Sequence, residues 1–178
     1  MLMRLRGASI LQERNRMYCI LALLSLLGTG FGVIFAATAE QTYLHLMRMA
    51  ASRPVSIVGS MVAVFLPYIV SVLVVTNSKP WLSYAVIAVR LFLFAASGYA
   101  IYDCYGTAAW LIGFMFLFPD ICLIPMLLWL TIRNSEKAIC RKHSLLCLVY
   151  VAFVGIINFC TVSPFLADLL NTYESMGR

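Results

Sequence analysis

Charge is what this chain has least of. Only 11% of its 178 residues are Asp, Glu, Lys or Arg, whereas soluble domains carry nearer a quarter. With 63% apolar residues and a strongly positive mean hydropathy, a soluble globular fold is excluded. The formal charge of +6 does not point to nucleic acid, because the basic residues stand in short clusters at the ends of apolar runs, the pattern of membrane topology. Catalytic signatures are lacking too: there is no HExxH, P-loop or GxSxG, so an enzyme is not expected. The six cysteines are scattered, and their even number implies no disulfide framework. Cys140, His143 and Cys147 lack zinc-type spacing, so no metal and no cofactor is expected.

What is present is a series of apolar runs. A transmembrane helix needs about 20 apolar residues, and five such runs are read at 17–39, 55–76, 81–102, 107–132 and 144–170. The expected fold is all-α: one domain over 1–178, a polytopic bundle of five membrane helices. The basic segment 1–16 is expected to lie on the inner membrane face, and 40–53, with Gln41, His45, Arg48 and Ser52 at helical spacing, to form an outer amphipathic helix. Ala37, Thr38 and Ala39 resemble a signal-peptide cleavage site, but the preceding apolar run exceeds the ~7–15 residues of a signal core. Arg4, Arg6, Arg14, Arg16, Lys79, Arg133, Lys137, Arg141 and Lys142 fall on one side, against Arg48, Arg53 and Arg178 on the other. The positive-inside rule then puts the N-terminus inside and the C-terminus outside.

Two features interrupt the apolar runs. Gly28 and Gly32 form a GxxxG that admits close approach of another helix, within the chain or in a homo-oligomer. In the fourth run, Pro119, Asp120 and Pro125 stand near mid-membrane. Each proline lacks an N–H and frees a carbonyl four residues back, which in hydrocarbon must find a partner inside the protein. A kinked or broken helix facing other helices is expected, serving either packing or a ligand, ion or partner site. Arg90 lies near the middle of the third run and Asp120 near the middle of the fourth. Each is costly alone in a bilayer, so the two are expected to pair. Another break is expected at Pro164.

The order of these features resembles the stage II sporulation protein M family of bacterial membrane proteins. The stretch LLGTGFGVIFAATAEQTYLHLMRM is similar to that family's first helix and its extracytoplasmic extension. VRLFLFAASGYAIYDCYGTAAWLIGFMFLFPDICLIP resembles its basic residue, glycine-spaced helix and twin-proline helix, and INFCTVSPFLADLL its C-terminal helix with Ser/Thr-Pro. Arg90, Gly98, Gly106, Pro119, Pro125 and Pro164 match the pattern, while Asp120 stands where the family tends to have His or Gln. The resemblance implies a non-enzymatic scaffold in the bacterial cytoplasmic membrane, anchoring or localising envelope partners such as cell-wall hydrolases during engulfment of the forespore. The broken mid-membrane helix also suits a second reading, a small-solute binding or transport subunit.

Overall fold

The computed structural model describes residues 2–39, 57–77, 79–106, 109–136 and 141–176, with side chains described for 15–39, 65–77, 79–106, 109–136, 142–169, Thr172 and Ser175. The segment expected as an outer helix, 40–53 with His45, and Cys140 of the basic loop lie outside the described residues. The elements are α1 Leu2–Thr38, α2 Ile57–Asn77, α3 Pro80–Tyr105, α4 Ala109–Phe116, α5 Phe118–Ser135, α6 Arg141–Ile157 and α7 Ser163–Met176, with a π-helical turn Asn158–Val162 joining the last two. The described chain is all-helical. The basic N-terminal stretch is continuous with the first apolar run in α1.

Among the described residues, three helical stretches are long and apolar enough to cross a membrane: Asn15–Thr38, Pro80–Tyr105 and Lys142–Leu169. Helices α4 and α5 count as a fourth if taken as one span bent by 53°. Over its described side chains, Phe65–Asn77, α2 is a shorter apolar helix. These helices mark a membrane protein. The ends of α3 follow from local chemistry. Pro80 occupies the first turn, where its missing N–H removes no helical bond. At the other end Gly106 has φ +54, and its N–H bonds the Tyr102 carbonyl, a backbone turn that glycine makes at low cost.

Contacts fix the helix directions. Gly28 lies against Ala88 and Gly32 against Phe92, so α1 and α3 run parallel. Arg90 reaches Ser71 while Ser83 reaches the Val75 carbonyl, so α2 is antiparallel to α3. Asn134 bonds Ser83, whereas farther along α3 Gly98 lies against Leu117, just before α5, so α5 is antiparallel to α3 as well. The Trp129–His143 ring contact and the long Tyr150–Cys122 hydrogen bond set α6 antiparallel to α5. The directions alternate along the chain from α1 to α6, with α4–α5 as one leg.

The bend divides the interior into two clusters. Towards one end, Val72 and Val75 of α2, Ile87 of α3, Leu123, Leu127 and Leu130 of α5, and Val151 of α6 are buried together. Towards the other, Ile101 of α3 packs with Ala109 and Ile112 of α4 and with Leu117. Leu166 and Leu169 of α7 cover that second cluster. The first cluster takes from α5 the buried stripe Leu123, Leu127 and Leu130, one face at helical spacing.

The GxxxG is used within the chain. A Cβ on Gly28 would stand 2.8 Å from the Ala88 carbonyl oxygen, and one on Gly32 would collide with that of Phe92. A third close approach, absent from the sequence reading, is Gly155, where a Cβ would stand 2.7 Å from the Phe65 ring. At Gly98 the nearest atom, Cδ1 of Leu117, is 3.5 Å away, so this glycine is not sterically required. Gly32→Val is expected to wedge α1 off α3 and cost about 1–3 kcal/mol, as overpacking does. Gly30→Val, which meets nothing within 4 Å, is expected to leave the melting temperature unchanged. Thermal unfolding of the two variants in detergent checks the contrast, and equal losses would show that α1 does not depend on this contact.

Candidate functional site

The candidate site is the middle of the bundle, where the backbone is irregular on two legs at once. Between α4 and α5, Leu117 has φ −90 and ψ 4, the bridge region used in turns. Pro119 lies in the first turn of α5, so it starts a helix and does not interrupt one. The Leu117 N–H donates to the Gly113 carbonyl and the Ile121 N–H to the Leu117 carbonyl, both at 2.9 Å. The turn thus keeps backbone pairing on both sides of the bend, as a low-dielectric setting requires. Pro125 falls inside α5 on an exposed position.

On the neighbouring leg, Pro164 has no N–H to offer the Cys160 carbonyl. The chain absorbs this with the π turn just before it, where the Ser163 N–H bonds the Asn158 carbonyl five residues back. Widened turns of this kind accommodate a local irregularity while the helix continues. The break expected at Pro164 is therefore a π turn inside one apolar stretch, Lys142–Leu169.

The expected Arg90–Asp120 pair is not what the structure contains. Arg90 turns to α2, where Nε and Nη2 donate to Ser71 Oγ at 3.3 and 3.1 Å. Its guanidinium lies 4.2 Å above the Tyr68 ring, a cation–π contact. Ser71 in turn donates to the Pro67 carbonyl at 2.6 Å. The reason is register. With Ser83 and Tyr84 bonded to Asn134 and Ser135, climbing α3 to Arg90 means descending α5 only to about Leu128. Asp120 is roughly eight residues farther on, about 12 Å at ~1.5 Å per residue. Asp120 is half-buried in the first turn of α5, where the helix dipole favours a carboxylate. Its neighbour is the break itself.

Two buried hydroxyls, of Tyr68 and Thr131, have no hydrogen-bond partner. Tyr68 is held by its ring under Arg90. Thr131 lies by a second polar contact that sequence reading missed, the pairs Ser83–Asn134 at 2.9 Å and Tyr84–Ser135 at 2.8 Å. The signal was available: two polar dipeptides near the facing ends of consecutive antiparallel runs. Among the described residues no three His, Cys, Asp or Glu side chains group to hold a metal. Cys19, Cys104, Cys122, Cys147 and Cys160 are all free thiols.

No family model, curated protein or solved structure matches the chain.

Because Arg90 and Asp120 lie at different depths, exchanging their charges (Arg90→Asp with Asp120→Arg) is expected to express no better than the worse single variant, measured as folded protein by size-exclusion chromatography. Ser71→Ala is expected to cost about 0.6–1.7 kcal/mol, the range for an interhelical hydrogen bond in a membrane. Tyr68→Phe keeps the ring beneath Arg90 and removes an unpaired hydroxyl, so its melting temperature is expected to equal or exceed that of the parent.

Proposed function

We propose that this chain is a non-catalytic, multi-pass scaffold of the bacterial cytoplasmic membrane, resembling the stage II sporulation protein M family. In this reading it recruits or localises peptidoglycan-remodelling partners at the cell envelope. The observation that carries it is how the interior polar groups are employed. Arg90 is engaged by Ser71 and Tyr68, and Ser83, Tyr84, Asn134 and Ser135 engage one another across α3 and α5. Polar side chains so arranged fix helix positions and do not converge on a shared space. That suits a protein whose task is to hold a surface in place.

The proposed topology is five crossings with the N-terminus inside and the C-terminus outside. It rests on the alternation of helix directions and on the clustering of basic residues. In that arrangement α2 is the second crossing, and the segment after α1 lies outside, where envelope partners would meet it. A second reading, a solute-binding or transport subunit, is favoured by one observation: the buried Tyr68 hydroxyl without a partner beside a mid-membrane arginine. A bound solute would supply that partner.

Mild-detergent pull-down of the tagged chain from its native membrane, followed by mass spectrometry, separates the readings. Specific co-purification of cell-wall hydrolases is the expected result. Recovery of an ATPase module or of a bound small molecule in their place supports the transport reading. Reporter fusions at the two termini test the topology, with activity of a periplasmic reporter expected only at the C-terminus.

A further inference from the structure

Helices α5 and α6 share the buried cluster through Leu123, Leu127, Cys147 and Val151, and on the outer side of that seam they touch at two levels. At one level the Trp129 and His143 rings meet edge to face with centroids 5.5 Å apart. About seven residues away the Tyr150 hydroxyl reaches the Cys122 carbonyl at 3.5 Å. Between these points lies a groove of about 580 Å³, walled by Cys122, Pro125 and Trp129 on one side and by Leu146, Tyr150 and Phe153 on the other. Its volume falls in the ~300–1,000 Å³ range of small-molecule and cofactor sites. Its length, at ~1.5 Å per residue, is roughly 10 Å. The walls are almost wholly apolar and the groove opens sideways, away from the buried cluster. That is the direction of the lipid.

One end of the groove differs in character. Arg133 holds its guanidinium 5.8 Å from the Trp129 ring centre, and Lys142, beside His143, is exposed at the start of α6. Arg133, one turn beyond Trp129, and Lys142, one turn before Leu146, continue the two walls of the groove towards this end. Trp129, in the C-terminal half of α5, is of the residue type enriched at membrane–water boundaries. Basic mouths between membrane helices bind anionic lipid headgroups. An apolar channel that ends in such a mouth complements one kind of molecule at both ends.

We infer that the α5–α6 groove is a binding site for an anionic phospholipid, with an acyl chain along Pro125, Leu146 and Phe153 and the headgroup phosphate between Arg133 and Lys142. The cations give the selectivity, since lipid tails alone distinguish nothing. This inference goes beyond the scaffold reading and depends only on the chain lying in a membrane.

The test is native mass spectrometry of the full chain, delipidated in detergent and titrated with phosphatidylglycerol or with phosphatidylcholine of the same acyl composition. A first bound lipid is expected at tenfold or more lower concentration for phosphatidylglycerol. Arg133→Gln with Lys142→Gln is expected to bring the two lipids to equal occupancy. Leu146→Trp, which fills the groove from an exposed position, is expected to reduce binding of both, whereas Leu145→Trp, equally exposed but outside the groove, leaves it unchanged. Equal affinity of the parent chain for the two lipids overturns the proposal, as does undiminished binding by Leu146→Trp. Displacement of the lipid by free glycerol phosphate would likewise overturn it, because the headgroup alone would then account for binding. Retention of a co-purifying protein in the groove, lost on Leu146→Trp, would assign the groove to a partner helix instead.

Discussion

In hydrocarbon a backbone N–H or C=O has no water to bond, so every irregularity must be closed within the protein. That constraint is most severe at the 53° bend between α4 and α5, and much of the bundle follows from how it is met. Leu117 bonds backward to Gly113 and forward to Ile121, which lets one leg change direction while still paired. Above the bend that leg packs with α3 and α7, and below it with α2, α3 and α6. A straight helix would serve one cluster and leave the other uncovered. The π turn at Asn158–Val162 solves the same problem on the adjacent leg, where Pro164 withholds a donor.

Side-chain hydroxyls are handled with equal strictness, mostly on their own helix. Ser25, Thr29, Thr38, Ser71 and Thr76 each donate to the carbonyl four residues back. Such local bonds satisfy the group without linking helices. Among the described residues, bonds that cross between helices include Arg90–Ser71 and the Ser83, Tyr84, Asn134 and Ser135 group, with weaker contacts at Val75 and Cys122. Interhelical hydrogen bonds in membranes average only ~0.6 kcal/mol, so these fix register more than they add stability. Close backbone approach at Gly28 and Gly32, with the Phe65 ring seated on Gly155, is the larger contribution, because dispersion across a tight interface has no lipid equivalent.

This also explains what was readable from the residues alone. Helical class, the apolar legs, the interruption at Pro119 and the capacity of Gly28 and Gly32 for close contact all depend on local composition and spacing. The chain states those directly. The partner of Arg90 did not follow, because similar depth was inferred from the midpoints of two runs, while the bonds at Ser83 and Tyr84 slide α5 by about two turns relative to that estimate. Register between helices is a tertiary property, and no residue type at position 90 announces it. Pro164 misled for a related reason: a missing N–H dictates that the helix must adjust, but not whether it breaks or widens. Gly155 was overlooked because one glycine in an apolar run carries no pattern until Phe65 is placed against it.

The position of α6 ties these threads together. Gly155 draws it close to α2 through Phe65, and it meets α5 in the shared buried cluster and, outside it, at Trp129–His143 and Tyr150–Cys122. The gap lies on the outer side of that seam, where Leu146, Val149 and Phe153 are uncovered. In water such an apolar gap would be closed or would cause aggregation. In a bilayer it costs little, because acyl chains are as apolar as the side chains they replace. The tails therefore have no reason to choose this groove over the rest of the surface, and any selectivity must originate at the end where Arg133 and Lys142 meet the headgroup layer.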